Sequence, residues 1–206
     1  MIAENTPEWF AARVGIPTAS LLGDIMSNER GNKGGPGAPF FKLVDEKCAE
    51  IIAGVIRPTG TSFAAQRGVD LEPLALKVYA EMTGEAIQKP GLLMHKSLRF
   101  GASPDAVRVS DGNIVEVKCP ESWPAVVRLR CDQDVSDYRD QIQGQLCVTG
   151  AAWCDLVVFD DRLPPDSAMT VIRVTRDEKH IARIEERVKL FNEAVQQRVQ
   201  QFRSVK

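Results

Sequence analysis

Apolar residues along the chain recur with two periods, one suited to helices and one to strands. Residues 40–53 read as a helix, and Leu71, Leu74, Ala75, Val78, Tyr79 and Met82 form one apolar arc at helical spacing. Asp70 is placed to cap this second helix, Pro73 falls in its first turn, where proline is tolerated, and Gly84 ends it. Thr18-Ala19-Ser20, ahead of Leu21 and Leu22, reads as the start of a short helix. Residues 91–94, 98–102, 106–109 and 114–118 read as consecutive short strands. The last two are joined by Ser110-Asp111-Gly112-Asn113, and Asp-Gly between apolar runs signals a hairpin. Residues 138–149 return to helix, with Ile142 and Leu146 inward. Residues 153–159 are continuously apolar, as in a strand buried on both faces, and 169–174 form a further strand. Ile181, Ile184, Val188, Phe191, Val195, Val199 and Phe202 keep helical spacing through a long helix expected over about 177–203. This order predicts an α/β fold, one domain over 1–206 with a single central mixed sheet flanked by helices.

Composition narrows the picture only a little. A chain of 206 residues can bury a substantial core. A formal net charge of −2 neither supports nor excludes a nucleic-acid partner, because phosphate attraction needs basic residues concentrated locally. The first seven residues are acidic and lack an apolar core, so no signal peptide is expected, and no apolar run reaches membrane-spanning length. Cys48, Cys119, Cys131, Cys147 and Cys154 are scattered without a Cys-x-x-Cys pair. Neither a zinc site nor a disulfide framework is indicated, and a reducing, cytoplasmic setting fits. His95 and His180 stand in unrelated contexts, against histidine-based metal or triad chemistry. The glycine-rich run 31–37 lacks the Gly-Lys-Ser/Thr ending of a phosphate-binding loop and reads as a mobile surface segment.

Candidate chemistry concentrates in the predicted hairpin. Glu116 and Lys118, two apart on one strand, face the same way, while Val117 points into the core. The turn folds Asp105 back beside Glu116. Two carboxylates on adjacent strands suit a hard cation such as Mg²⁺, and a metal pair can stabilise both attacking and leaving oxygens of a phosphate displacement. Lys118 would orient the attacking water or neutralise transition-state charge. The residues alone also allow a plainer reading, in which Asp105 caps a turn and Glu116 and Lys118 form a solvated pair. Glu72 sits at the edge of its helix's apolar arc, half-buried and in need of a partner. A structural salt bridge or a seat beside the carboxylates would each supply one.

Six segments taken together resemble the phage lambda exonuclease family of viral recombination nucleases, within the PD-(D/E)xK superfamily with its restriction-endonuclease-like fold. They are Arg13-Val14-Gly15-Ile16-Pro17-Thr18-Ala19-Ser20, Arg67-Gly68-Val69-Asp70-Leu71-Glu72, Ala102-Ser103-Pro104-Asp105, Val115-Glu116-Val117-Lys118-Cys119-Pro120, Tyr138-Arg139-Asp140-Gln141-Ile142-Gln143 and Val148-Thr149-Gly150. The resemblance runs from about residue 8 to 160. It implies a toroidal homotrimer that digests the 5′ strand of linear double-stranded DNA to mononucleotides, leaving 3′ overhangs for a single-strand annealing protein. It implies two Mg²⁺ ions, replaceable by Mn²⁺, on Asp105, Glu116 and the Val117 backbone carbonyl. Lys118 would be the catalytic lysine, with Glu72 acting through metal-bound water and Gln141 holding the attacking water or Lys118. Arg13, Ser20 and Arg30 match the pocket for the 5′-phosphate, where guanidinium forks and a helix N-terminus attract anions. A cytoplasmic, prophage-encoded protein of a bacterial cell is the implied setting. The bland readings of these three are a helix cap for Ser20, a surface ion pair for Arg13 and a solvated loop residue for Arg30. Ala106 stands where the family often has glycine, and residues 121–137 match poorly, so Arg128 and Arg130 are DNA-backbone candidates or merely a solvated basic face. Two alternatives remain: another nuclease of the superfamily, restriction-type or CRISPR-associated, and a catalytically silent DNA-end-binding module.

Overall fold

A computed structural model describes residues 6–28, 35–56 and 63–205. Arg30 and most of the glycine-rich run lie outside them. The hairpin forms as its turn chemistry requires. Strands β4 (Ala106–Arg108) and β5 (Ile114–Lys118) pair antiparallel, with Ala106 opposite Val115. Gly112 takes the left-handed conformation that favours glycine (φ 73°), and the Asp111 carboxylate accepts from the Asn113 N–H. The Asn113 side chain then accepts from the backbone of Ala152 and Trp153. That contact ties the turn to the start of β6 (Trp153–Phe159), which runs parallel to β5. A parallel pair needs a crossover, and α6 (Arg139–Thr149) supplies it.

With β1 (Ile87–Gln88) and β7 (Met169–Thr175) the central sheet has five strands in the order β1-β4-β5-β6-β7. It is mixed, as expected. The two earlier predicted strands are shorter and lie elsewhere: β2 (Leu93–Met94) and β3 (Gly101–Ala102) form a separate two-stranded ribbon. Alternation along β5 divides the core. Ile114 faces α6 with Leu156, Ile142 and Leu146. Val115 and Val117 face the other way, against Ala75, Leu76 and Tyr79.

Those three belong to α4 (Phe63–Thr83), which corrects the predicted start at Asp70: the helix begins earlier, with Pro73 inside it. Proline there forfeits one backbone bond, but Val69, whose carbonyl loses its donor, is exposed and water can satisfy it. Asp70 instead accepts from Gln66 within the helix. The buried arc is also rotated from the expected one. Leu74 and Met82 are exposed, and Glu72 shares its side of the helix with Ala75, Leu76 and Tyr79. Helix α3 (Ala38–Ala53) and the long α7 (Glu178–Ser204) pack together through Phe40, Leu43, Val44 and Phe191 in a further core cluster. Phe202 lies outside it, exposed. Among the described residues no helix is long and apolar enough to cross a membrane.

Candidate active site

Asp105 immediately precedes β4, and its carboxylate accepts from the N–H of Val117 at 2.7 Å. The hairpin therefore brings it beside Glu116, as the spacing predicted. In an extended strand a residue's N–H and C=O point to the same edge, so the Val117 carbonyl turns toward Asp105 as well. Glu116 is 3 % exposed and faces α6. One of its oxygens accepts from Lys118 Nζ at 2.7 Å and Gln141 Nε2 at 2.5 Å; the other accepts from Gln145 Nε2 at 2.6 Å. The Gln141 carbonyl accepts from Lys118 Nζ at 3.1 Å, closing a small ring of contacts. The plain reading of a solvated Glu116–Lys118 pair is thereby excluded.

The electrostatics follow from crowding. Burial, and then the charges of Glu116 and Glu72, push the Asp105 carboxyl well above its usual range. Burial works against the Lys118 ammonium, but the charge and hydrogen bond of Glu116 outweigh it and raise its pKa. Glu72 is close enough to act on Asp105, yet it makes a 2.5 Å ion pair with Lys89 and is absent from the cleft wall described next. Both readings of Glu72 from the sequence thus have a counterpart in the fold.

Asp105, Glu116 and Gln141 line a cleft of about 220 Å³ whose other wall holds Trp9, Arg13, Thr18, Ala19 and Ser20. Arg13 ends α1 (Pro7–Arg13), and its guanidinium lies 3.9 Å from the centre of the Trp9 ring. Its Nη2 reaches the Thr18 hydroxyl at 3.5 Å, and that hydroxyl also meets Ser20 Oγ at 3.1 Å. Ser20 lies inside a 3₁₀ turn (Ala19–Leu21) and makes no cap hydrogen bond, so the capping role is not its use here. The turn sits close to α6 because position 144 is glycine: a Cβ there would fall 2.2 Å from Leu22 Cδ1 and 3.3 Å from the Ala19 Cβ. Arg128 and Arg130 are engaged elsewhere, the first by Asp134 and Asp137, the second by the Ser167 carbonyl.

Sequence reasoning missed Trp9, Thr18 and Gln145. Thr6 followed by Pro7 is a helix start, with the Thr6 hydroxyl accepting from Trp9 N, and it would have revealed α1 and the four-residue spacing of Trp9 and Arg13. Gln145 stands one turn beyond Gln141, so both amides reach one side of the helix. Thr18 gave no signal beyond its neighbours.

The donor set fits a hard divalent cation. The Asp105 and Glu116 carboxylates line the cleft together with the Gln141 and Gln145 amides, an oxygen-rich set of the kind such a cation takes. A second cluster does not fit one. His95, Cys147 and Glu185 bring ligand-type atoms within 4.8 Å of one another. However, His95 Nδ1 accepts from the N–H groups of Ser97 and Leu98, which leaves the proton on Nε2, the atom facing Glu185. Burial pushes the Cys147 thiol up to about 11, and its soft sulfur is not the oxygen ligand that a hard cation takes.

A family model described as the YqaJ-like viral recombinase domain matches residues 8–152. An alkaline exonuclease (LHK-Exo) from Laribacter hongkongensis is similar in structure, with a TM-score of 0.85 at 34% identity over 96% of each chain. LHK-Exo in complex with dAMP gives 0.84 at the same identity and coverage. A phage related exonuclease from Haemophilus somnus 129PT shares the fold, with a TM-score of 0.77 at 16% identity over 91% of this chain and 96% of that one. Comparison with curated proteins gives no match.

Proposed function

The chain belongs to the YqaJ-like viral recombinase family, nucleases of recombination, and from that premise we propose that it is a Mg²⁺-dependent 5′-to-3′ exodeoxyribonuclease. Its substrate is linear double-stranded DNA with a 5′-phosphate end. It releases mononucleotides and leaves 3′ overhangs for a single-strand annealing protein. One observation carries the reading: a single cleft holds Asp105, Glu116 and Gln141 on one wall and Arg13 and Ser20 on the other. A terminal phosphate held by Arg13 and Ser20 fixes the distance to the acids, so each cut falls one nucleotide from the end. The solved complex of LHK-Exo with dAMP is consistent with a mononucleotide product.

Asp105, Glu116 and the Val117 carbonyl would hold the ions, two Mg²⁺ with Mn²⁺ as a substitute. When bound, they supply a Lewis acid for the phosphate and an activated water. The chain's own residues do the rest. Lys118, kept charged by Glu116, places a donor beside the attacking water. Gln141 holds Lys118 and Glu116 in register, and Glu72 adds negative charge from behind Asp105. Arg13 binds the phosphate with a guanidinium already stacked on Trp9, so little freedom is lost on binding. Arg30 belongs to the same proposed pocket by motif. A homotrimeric ring in the bacterial cytoplasm, encoded by a prophage, completes the proposal; a closed ring would keep the enzyme on its strand between cuts.

The test is digestion of linear 5′-phosphorylated, linear 5′-hydroxyl and covalently closed circular DNA side by side. The expected result is mononucleotides from the phosphorylated duplex, slower attack on the hydroxyl ends, and an untouched circle. Chelation should stop the reaction and added Mg²⁺ restore it. Nicking of the circle would point to an endonuclease instead. Binding of ends without Mg²⁺-dependent turnover would point to a silent end-binding module.

A further inference from the structure

Gln145 is 1 % exposed, lines the cleft, and has a carbonyl oxygen with no hydrogen-bond partner among the described residues. Its amide cannot simply be turned over. Ionised Glu116 is acceptor-only, so the group 2.6 Å from its Oε2 must be the Gln145 NH₂, and the carbonyl is the atom left over. Buried amides almost always find both partners, and the neighbouring buried Gln143 does: its NH₂ donates to the Thr175 carbonyl and its oxygen accepts from Asp177 N. Gln145 differs only in standing in the cleft wall. An unpaired acceptor in the same cleft wall as Asp105 and Glu116 repels anions, so what it suits is a proton donor such as a water carried on a cation.

Two of the three glutamines of α6, Gln141 and Gln145, also hold different oxygens of Glu116. Gln141 and Lys118 share Oε1, whereas Gln145 alone holds Oε2. We infer that Gln145 is a positioning residue for the metal site: its NH₂ anchors Glu116 from the buried side, and its unpaired carbonyl accepts from water on the bound cation. The inference rests on the metal-dependent reading above. Outer hydrogen-bond partners of metal-binding carboxylates are worth about 10–100-fold in metal affinity, and that is the range expected here.

The experiment is calorimetric titration of Mg²⁺ and Mn²⁺ into the metal-free full chain, wild type beside Gln145→Met, which keeps the volume and removes both contacts. The expected result is a 10–100-fold weaker dissociation constant, a matching rise in the Mg²⁺ concentration for half-maximal digestion, and an unchanged KM for DNA at saturating Mg²⁺. A purely structural role would lower the metal-free melting temperature and leave the metal affinity where it was. Should the methionine variant fold poorly, Gln145→Asn keeps the amide but draws it back by one methylene, and the same loss is expected. A folded variant of either kind that binds Mg²⁺ as tightly as wild type overturns the inference. Failure of the wild type to bind either ion overturns the metal-dependent reading itself.

Discussion

The two faces of the central sheet each bury a carboxylate, and the two are treated in opposite ways. On the α4 face Asp155 is enclosed by its own counter-charges. It accepts from the Tyr79 hydroxyl at 2.7 Å and from Arg173 at 2.9 and 3.1 Å, while Arg108 bonds the same tyrosine at 3.3 Å. The Trp153 ring lies near both guanidiniums, 3.6 Å from Arg173 and 4.8 Å from Arg108. On the α6 face Glu116 and Asp105 have one ammonium between them, and Glu72 beyond is taken by Lys89. The first cluster is complete without a ligand and serves stability. The second crowds two carboxylates at an open cleft with Arg13 across it, and burial together with that crowding pushes Asp105 toward its neutral form. Burial is common to both, so burial alone does not distinguish a structural acid from a functional one; the charge balance around it does.

Substitutions should separate the two faces by sign. The largest effect is expected from Lys118→Ala, a loss of about 10²–10³ in turnover as for removal of one transition-state donor, with duplex-end binding retained in a gel-shift assay. Asp155→Ala should instead cost stability, about 3 kcal/mol in a denaturant titration, since it strands buried donors; half-exposed Arg173 keeps the figure at the low end of such changes. Asp105→Asn should do the reverse. The raised Asp105 pKa means its protonated form favours folding below pH 3.8, an advantage lost as pH rises through the folded value. The melting temperature of metal-free Asp105→Asn should therefore gain on wild type as pH rises toward neutral, and its stabilisation by Mg²⁺ should vanish. An Asp105→Asn variant less stable than wild type at neutral pH would erase the contrast between the faces. The smallest effect is expected from Tyr79→Phe, about 1 kcal/mol for one buried hydrogen bond. Burial and then the Asp155 hydrogen bond hold the Tyr79 hydroxyl up at about 12. Wild type should thus lose this stability between pH 10 and 12, and Tyr79→Phe should not show that alkaline step.

The acids and lysine of the hairpin were legible because their geometry is local. A period of two puts Glu116 and Lys118 on one side, and an Asp-Gly turn returns Asp105 to them. The rotation of α4 was less legible. Leu74 and Leu76 are equally apolar, and only contact with Val115 and Val117 selects Leu76. Pro73 inside that helix contradicts local propensity, and the packing of Ala75, Leu76 and Tyr79 overrides it.

By itself the sequence determined most of the longer helices and strands, the hairpin with its acids, and the short motifs that mark the family, all properties of residues a few positions apart. The tertiary structure alone decided that β6 lies parallel to β5, that glycine at position 144 lets α6 close on the Ala19–Leu21 turn, and that Arg13 and Asp105 therefore share a cleft. These are meetings of segments far apart in the chain. They depend on which surfaces can be buried together, and no local pattern encodes that.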